Sequence, residues 1–140
     1  SCNRCVSTER ARALSSVLLV SARQPDACAA PDGDLWAMRA MENHNEFARA
    51  HALRLSWSSS LLAPSWEGAW NKIVYLRALM RDTLRKRVMP LAAGGGTVEW
   101  LLWADWDVVF LDLSTHLPLE EYEARGFNLV LAGDPAAVAE

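Results

Sequence analysis

Short apolar runs separated by longer amphipathic stretches dominate the hydrophobic pattern of this chain. Residues 17–20 (Val-Leu-Leu-Val) are apolar throughout and precede a polar, turn-rich stretch, which predicts a buried strand leading into a long loop. Residues 53–57 alternate apolar and polar side chains and predict a second strand, and residues 98–103 and 127–132 predict two further strands. Residues 108–111 form another apolar run.

Helical periodicity fills the intervals between these runs. Residues 35–51 lack proline and glycine after an expected N-cap at Asp34, and one face recurs at helical spacing: Ala37, Met41, His44, Ala48 and His51. Residues 73–84 predict a second amphipathic helix, whose basic last turns are interpreted as a solvated helix end, and residues 118–123 predict a short third helix. Apolar strands that alternate with helices indicate an α/β domain with a mostly parallel sheet.

The composition is close to the average for globular domains. The 140 residues are 51% hydrophobic and 22% charged, and 14 Lys and Arg against 17 Asp and Glu leave a net charge of −3. Neutralising nucleic-acid phosphates normally requires a basic chain, so no nucleic-acid partner is expected. We expect a fragment of a longer protein, with residues 1–13 as a polar lead-in, residues 14–140 as part of one domain, and any membrane anchor elsewhere.

Two motifs that often bind ligands are not interpreted as ligand sites in this chain; the cysteine thiols are expected to be incidental or to form disulfides. Cys2 and Cys5 form a C-x-x-C and Cys28 stands alone, but zinc would need two further ligands and the histidines show no paired spacing. The glycine run at residues 94–96 is not followed by Lys-Ser or Lys-Thr, so it does not match a phosphate-binding loop.

The sharpest chemical feature is the acidic pair Asp105 and Asp107, which lies between two apolar runs. In extended backbone, residues two apart project to the same side, so both carboxylates are expected to converge at the end of a strand. Carboxylate oxygens suit Mn²⁺ or Mg²⁺, and open α/β sheets bind ligands beyond the carboxyl ends of their strands. From these residues alone, a metal–diphosphate site and a structural turn are equal alternatives.

Several further motifs follow one another along the chain. They are Val-Leu-Leu-Val-Ser-Ala-Arg-Gln-Pro at residues 17–25, Cys28, Pro-Asp-Gly-Asp at 31–34, Glu-Asn-His-Asn-Glu-Phe-Ala-Arg-Ala-His at 42–51, Ser-Leu-Leu at 60–62, Trp-Asn-Lys at 70–72, Glu-Trp-Leu-Leu-Trp-Ala-Asp-Trp-Asp at 99–107, Leu-Pro-Leu-Glu at 117–120 and Asn-Leu-Val at 128–130. This order, from residue 17 to residue 133, resembles glycosyltransferase family 34, which includes plant xyloglucan xylosyltransferases and galactomannan galactosyltransferases.

The resemblance implies a fold and a reaction. The fold is of the GT-A nucleotide-sugar type, and this chain would be its N-terminal, nucleotide-binding half. The reaction is a retaining transfer of a hexose or pentose, from UDP-galactose or UDP-xylose, to a polysaccharide or oligosaccharide acceptor. The family consists of type II Golgi membrane proteins with lumenal catalytic domains, so a Golgi location is expected.

The resemblance also implies site residues. Asp105 and Asp107 match the family's metal-binding motif for Mn²⁺ or Mg²⁺, with Trp106 between them where the family usually has a small residue. Ser21, Ala22 and Arg23 match the turn that approaches the nucleotide, although the family more often has Thr-Gly-Ser there. Lys72 matches the lysine of Trp-x-Lys. No catalytic residue is assigned, because the third metal ligand and the acceptor site are expected beyond residue 133.

Several of these residues have structural alternatives. His44 and His51 are interpreted as partly buried helix residues rather than ligands, and the tryptophans at residues 100 and 103 as core packing rather than stacking platforms. Trp106 is left open between the core and the nucleotide. Lys72 is either a solvated charge or a phosphate contact, and the helix dipole, which disfavours a cation in a first turn, supports a special role.

Three functions compete at this point. The leading hypothesis is a metal-dependent glycosyltransferase. A phosphotransferase or phosphatase with an Asp nucleophile is disfavoured, because such enzymes usually place their acidic motif directly after the first strand. The third is a degenerate, non-catalytic transferase domain that supports a partner, and a homodimer or heterodimer is among the assemblies considered. Residues 108, 110, 130 and 131 are expected to expose apolar side chains in the isolated chain.

Overall fold

The computed structural model describes residues 16–23, 31–66, 70–84 and 98–132. Within them, strands and helices alternate in the order β1 (Val17–Ala22), α1 (Pro31–Ala50), β2 (Arg54–Ser58), α2 (Asn71–Leu84), β3 (Trp100–Trp103) and α3 (Leu119–Ala124). The predicted strands and helices up to residue 123 are therefore confirmed. No helix in this described part of the chain is long and apolar enough to span a bilayer.

The three strands form one parallel sheet with β1 at its centre, between β2 and β3. Leu19 lies opposite Leu55 of β2 and Leu102 of β3. All six residues of β1 are buried, as expected for a central parallel strand that is covered on both faces. The predicted α/β class with a mostly parallel sheet is confirmed.

Two apolar clusters cover the two faces of this sheet. Val17 and Leu19 of β1 pack with Phe47 of α1 and Leu119 of α3. The alternate β1 residues, Leu18 and Val20, pack towards α2 and contact a cluster that includes Tyr75, Leu76 and Leu79. Because successive side chains of a strand point to opposite faces, β1 joins the two helical layers into one core.

Helix α1 begins at Pro31, so the prediction of an N-cap at Asp34 is wrong. Proline is favoured at the first position of a helix, where its missing N–H has no helical acceptor and its φ already suits the helix. Asp34 lies inside the helix instead, and its carboxylate pairs with the guanidinium of Arg23, directly after β1.

Residues 127–132 do not form a strand, which corrects the prediction made from their apolar run. The chain leaves α3 through Gly126 (φ 69°), where the N–H of Gly126 donates to the Glu123 carbonyl and the N–H of Phe127 to the Tyr122 carbonyl, both at 2.9 Å. These bonds form a Schellman helix end. A strand requires a neighbouring edge, and none of the described strands pairs with this segment, which leaves Leu131 77% exposed.

The expected apolar exposure is correct at three of its four positions. Val108, Val130 and Leu131 are exposed, whereas Phe110 is half-buried and stacks on Phe47 with ring centroids 3.9 Å apart. Four other features fall outside the described residues: the lead-in at 1–13, the three cysteines, the glycine run at 94–96 and the basic residues at 85–87.

Candidate functional site

The predicted site residues lie at the place in the sheet where the strand order reverses. The chain runs from β1 to β2 on one side and then places β3 on the other side of β1. The carboxyl ends of β1 and β3 therefore form a topological switch point, which is where open α/β sheets bind ligands. Arg23 follows β1 at this edge, and Asp105 lies two residues beyond β3.

Asp105 is held at this edge by contacts from two elements. The N–H of Ala104 donates to the Val20 carbonyl (3.0 Å), which continues the β1–β3 pairing up to the residue before Asp105. Trp103 Nε1 donates to Asp105 Oδ1 at 2.9 Å, and Lys72 Nζ lies 3.3 Å from each oxygen of the same carboxylate. The side chains of Lys72 and Asp105 are 37% and 41% exposed, so a ligand in solvent can reach both.

The acidic pair itself lies in a turn. The N–H of Val108 donates to the Asp105 carbonyl (3.0 Å), closing a four-residue turn with Trp106 and Asp107 at its centre. Because β3 ends at Trp103, the expectation that strand alternation brings both carboxylates to the same side is wrong. Asp107 is exposed.

The donor chemistry of this turn suits a hard divalent cation. Mn²⁺ and Mg²⁺ take carboxylate oxygens and commonly retain several water ligands. In the described segments, no group of three or more His, Cys, Asp or Glu is arranged to hold a metal ion. Asp105 and Asp107 are the two carboxylates of this turn, and a cation held by two such ligands would leave its other positions to water or substrate oxygens.

Arg23 connects the end of β1 to the acidic turn. Its backbone N–H donates to the Ser58 carbonyl (3.0 Å), and its guanidinium lies 5.2 Å from the centre of the Trp106 ring. Trp106 is half-buried but belongs to neither apolar cluster of the described residues, so its ring lies at the site edge beside Arg23. The resemblance had placed Arg23 in the turn that approaches the nucleotide, but its contact with Trp106 was not expected.

Ser21 and Ala22 lie inside β1, not in a turn after it. They face Trp57 and Ser58 of β2 in register and are 0% and 3% exposed. The expectation that they form the turn approaching a nucleotide is therefore corrected, because pairing with β2 continues through Ala22 and Arg23 is the first residue beyond the strand. The Ser21 hydroxyl is buried with no hydrogen-bond partner among the described residues.

Two side chains of α1, and that of the residue directly after it, hold the segment that follows the acidic turn. Asn43 pairs with both backbone groups of Phe110, donating Nδ2–H to its carbonyl (3.0 Å) and accepting its N–H at Oδ1 (2.7 Å). His44 Nε2 lies 2.8 Å from the Val108 carbonyl, and His51 Nε2 lies 2.8 Å from the Leu113 carbonyl. We call these three residues the α1 clamp, since together they position the backbone from 108 to 113.

The interpretation of the two clamp histidines as buried is confirmed, with exposures of 0% and 7%; His44 lies in α1, whereas His51 is the first residue after it. A carbonyl can only accept, so Nε2 of each imidazole carries the proton. His44 Nδ1 is buried and has no partner in the described part of the chain. Burial lowers the pKa of His44, and the bond to the Val108 carbonyl opposes that shift only in part.

Two asparagines of this region were missed as positioning residues. Asn43 belongs to the clamp, and Asn71, which precedes Lys72, binds both backbone groups of Ala63: it accepts the N–H at 2.7 Å and donates to the carbonyl at 3.2 Å. Asn71 is 0% exposed, so it anchors the loop before α2 and with it the first turn that carries Lys72. The available signal was a poor helix former at an inward-facing helical position.

The two tryptophans of β3 confirm the core interpretation. Trp100 packs on the α1 side and donates Nε1–H to Glu123 of α3 (2.9 Å). Trp103 packs on the α2 side, and its bond to Asp105 gives it a second role that packing alone would not predict.

Comparison with known proteins identifies relatives of this chain. It is 34% identical over 124 residues to probable glycosyltransferase 7 of Oryza sativa subsp. indica, a match that covers 89% of this chain and 25% of the relative. Galactomannan galactosyltransferase 1 of Cyamopsis tetragonoloba is 32% identical over 123 residues, covering 88% of this chain and 25% of that protein. This chain is homologous to plant glycosyltransferases.

A third relative supports the same assignment. Probable xyloglucan 6-xylosyltransferase 1 of Oryza sativa subsp. indica is 31% identical over 117 residues, covering 84% of this chain and 23% of the relative. The resemblance seen in the motifs is thus confirmed, and it favours the transferase over the phosphotransferase hypothesis. No family model matches the chain. The chain spans about a quarter of the length of these curated relatives.

Proposed function

We propose that the protein carrying this chain is a metal-dependent glycosyltransferase of GT-A type, and that this chain supplies the nucleotide-binding half of its catalytic domain. The reaction is transfer of a sugar from a nucleotide sugar to a polysaccharide or oligosaccharide acceptor, with retention at the anomeric carbon. The observation that carries the proposal is the carboxylate of Asp105 beside Lys72 at the switch point of the sheet, in a chain homologous to glycosyltransferases.

Several residues at this edge would together bind a nucleoside diphosphate. Asp105 and Asp107 would hold Mn²⁺ or Mg²⁺, which when bound supplies positive charge against the leaving diphosphate. Lys72 provides an ammonium at the same edge, paired with Asp105, and Arg23 provides a guanidinium that lies over the Trp106 ring and also pairs with Asp34. Acceptor binding and the sugar-transferring groups are assigned to parts of the protein outside this chain.

The names of the relatives guide the choice of donor. One relative is named a galactomannan galactosyltransferase and another a xyloglucan xylosyltransferase. UDP-galactose and UDP-xylose are therefore the donors to test first, which keeps the hexosyl and pentosyl alternatives open to the same assay. A Golgi lumenal location, with a membrane anchor outside this chain, is the corresponding proposal for the whole protein.

Calorimetric titration of UDP with and without Mn²⁺ tests the proposal. Asp105→Asn and Asp107→Asn each remove ionic oxygen while keeping the side chain's size, so we expect UDP affinity in Mn²⁺ to fall roughly tenfold or more. Asp112→Asn is the matched control, since Asp112 lies in an exposed turn of the same segment, bonded to Ser114. Equal UDP affinity with and without Mn²⁺ would overturn metal dependence. In the whole protein that carries this chain, UDP binding without sugar transfer would instead favour the non-catalytic, partner-supporting alternative.

A further inference from the structure

Lys72 occupies an electrostatically unfavourable place in its own helix. It is the second residue of α2, whose first turn holds no acidic side chain. The aligned peptide dipoles give a helix N-terminus a partial positive charge, so an ammonium there is disfavoured unless an anion lies close. The fold supplies this anion as Asp105, which lies two residues beyond the carboxyl end of β3. Both of its carboxylate oxygens contact Lys72 Nζ.

This contact occupies the carboxylate that a cation would use. Trp103 already donates to Oδ1, and the ammonium lies 3.3 Å from Oδ1 and from Oδ2. If a divalent cation bound Asp105 at the same time, two cations, the metal ion and the ammonium, would lie against one carboxylate. Like charges at such distances repel strongly. Lys72 and a metal ion therefore compete for Asp105.

The ion pair between Lys72 and Asp105 is of a kind that another ion can displace. Both side chains are about four-tenths exposed, and ion pairs with this degree of solvent contact are weak because water and salt screen them. Lysine also has a flexible four-carbon stem, so its ammonium can move several ångströms without any backbone change. When it leaves Asp105, however, it still needs an anion at the α2 N-terminus.

We infer that Lys72 is an internal counterion for Asp105 that is exchanged for the divalent cation when a nucleoside diphosphate binds. The inference rests on the proposed function and adds a coupling to it. The metal ion displaces the ammonium from Asp105, and the diphosphate gives the ammonium a new anion. Cation and nucleotide therefore bind better together than separately, and Lys72 carries part of that coupling.

One substitution gives two effects of opposite sign. Lys72→Met removes the charge and keeps the length of the stem, and Lys72→Gln provides a second, polar variant should the first fold poorly. We expect Mn²⁺ affinity without nucleotide, measured by electron paramagnetic resonance of the free ion, to rise about two- to fivefold because the competitor is gone. UDP affinity in saturating Mn²⁺ falls in the same variants. Arg77→Met, which removes an exposed cation from the same helix, leaves both affinities unchanged.

A spectroscopic readout follows the exchange directly. The indole N–H of Trp103 bonds to the contested carboxylate, so its nuclear magnetic resonance signal, assigned by its loss in Trp103→Phe, should shift when Mg²⁺ is added with UDP. In Lys72→Met the same signal is expected to shift with Mg²⁺ alone. If the chemical shift of the Trp103 indole N–H does not change on addition of the cation in either protein, the exchange is refuted.

The possible failures are distinguishable. If Mn²⁺ neither binds nor affects UDP binding in the unsubstituted protein, the proposed function itself fails. If UDP binding needs Mn²⁺ but both Lys72 variants bind Mn²⁺ alone no better than the unsubstituted protein, the exchange is wrong and the proposed function stands. If Mn²⁺ affinity rises while UDP affinity is unchanged, Lys72 only competes for Asp105 and its transfer to the diphosphate is refuted.

Discussion

Single side chains of α1 and of His51, directly after it, position the backbone that follows the acidic turn. Four hydrogen bonds from Asn43, His44 and His51 end on backbone groups between residues 108 and 113. Phe110 adds packing, because its ring stacks on Phe47 and lies edge-on to His44 at 5.5 Å. The turn that carries Asp107 is thus attached to a helix on one face of the sheet, rather than to the sheet alone.

Replacing Asn43 by alanine tests this attachment. The substitution leaves the N–H and carbonyl of Phe110 without their side-chain partner in a partly buried place, which costs about 1–3 kcal/mol for such a group. We expect the free energy of unfolding, measured with urea, to fall by about 2 kcal/mol. Asn45→Ala changes an exposed asparagine of the same helix and controls for helix propensity. Equal stabilities of the two variants would mean that the paired bonds contribute nothing net.

His44 predicts how stability depends on pH. Its pKa is lowered in the folded protein by burial, whereas an unfolded histidine titrates near 6.5. The unfolded chain therefore binds a proton first as the pH falls, so His44 lowers the free energy of unfolding progressively below about pH 6.5 and has no such effect above it.

Urea unfolding at a series of pH values from 7.5 to 5 measures this effect. His44→Gln removes the titrating group, so we expect a shallower loss of stability on acidification than in the unsubstituted protein. His116→Gln removes an exposed histidine and serves as the control. A pH dependence that is the same with and without His44 would contradict the burial argument.

Among the secondary-structure elements, α3 is short, and its stability depends on the contacts made at its two ends. Its six residues bury Leu119 in the cluster on the α1 face, and its last turn closes through the Schellman bonds at Gly126 and Phe127. Phe127 also approaches Tyr122, with ring centroids 6.4 Å apart, as is common for the hydrophobic contact of this motif. The helix end thereby sets the path of the apolar residues that follow.

Gly126→Ala tests that helix end. The residue has φ 69°, which an L-residue with a Cβ adopts only at a cost, although no atom would contact that Cβ within 4 Å. We expect a loss of about 1 kcal/mol in the free energy of unfolding, caused by backbone strain alone. Asn128→Ala, two residues further on in an exposed position, should change stability by less than about 0.5 kcal/mol. Equal effects of the two would rule out a conformational cause.

Across the whole molecule, the chain spans about a quarter of its relatives' length and leaves apolar surface uncovered. Leu129 and Leu131 are 73% and 77% exposed, and Val130 beside them is 41% exposed. Contiguous apolar patches of this kind mark surfaces that associate, either with another part of a protein or with further copies.

We predict that residues 1–140 alone bind UDP weakly, transfer no sugar and self-associate. Two carboxylates leave a cation largely hydrated, and acceptor groups are assigned elsewhere. Light scattering of the purified fragment should show oligomers, which Leu129→Ser with Leu131→Ser reduces. Assays with UDP-xylose, UDP-galactose and oligosaccharide acceptors in Mn²⁺ should show no turnover. A monodisperse monomer that transfers sugar would refute this division of the protein.

The sequence by itself determined the elements and their class. Short apolar runs and 3.6-residue periodicity are local properties, and they located the three strands and three helices that the structure describes, and the parallel character of the sheet. The motif order similarly led to the homology with glycosyltransferases, because it depends only on residue identity and spacing.

Only the tertiary structure decided which residues meet. Lys72 and Asp105 are 33 positions apart, and Asn43 and Phe110 are 67 apart, so no local pattern reveals their contacts. It also decided that Asp105 begins a turn, that Ser21 is buried within β1 and that residues 127–132 form no strand. Strand length depends on the edge available for pairing, and side-chain contact depends on how elements pack. Both are properties of the assembled chain that local composition does not contain.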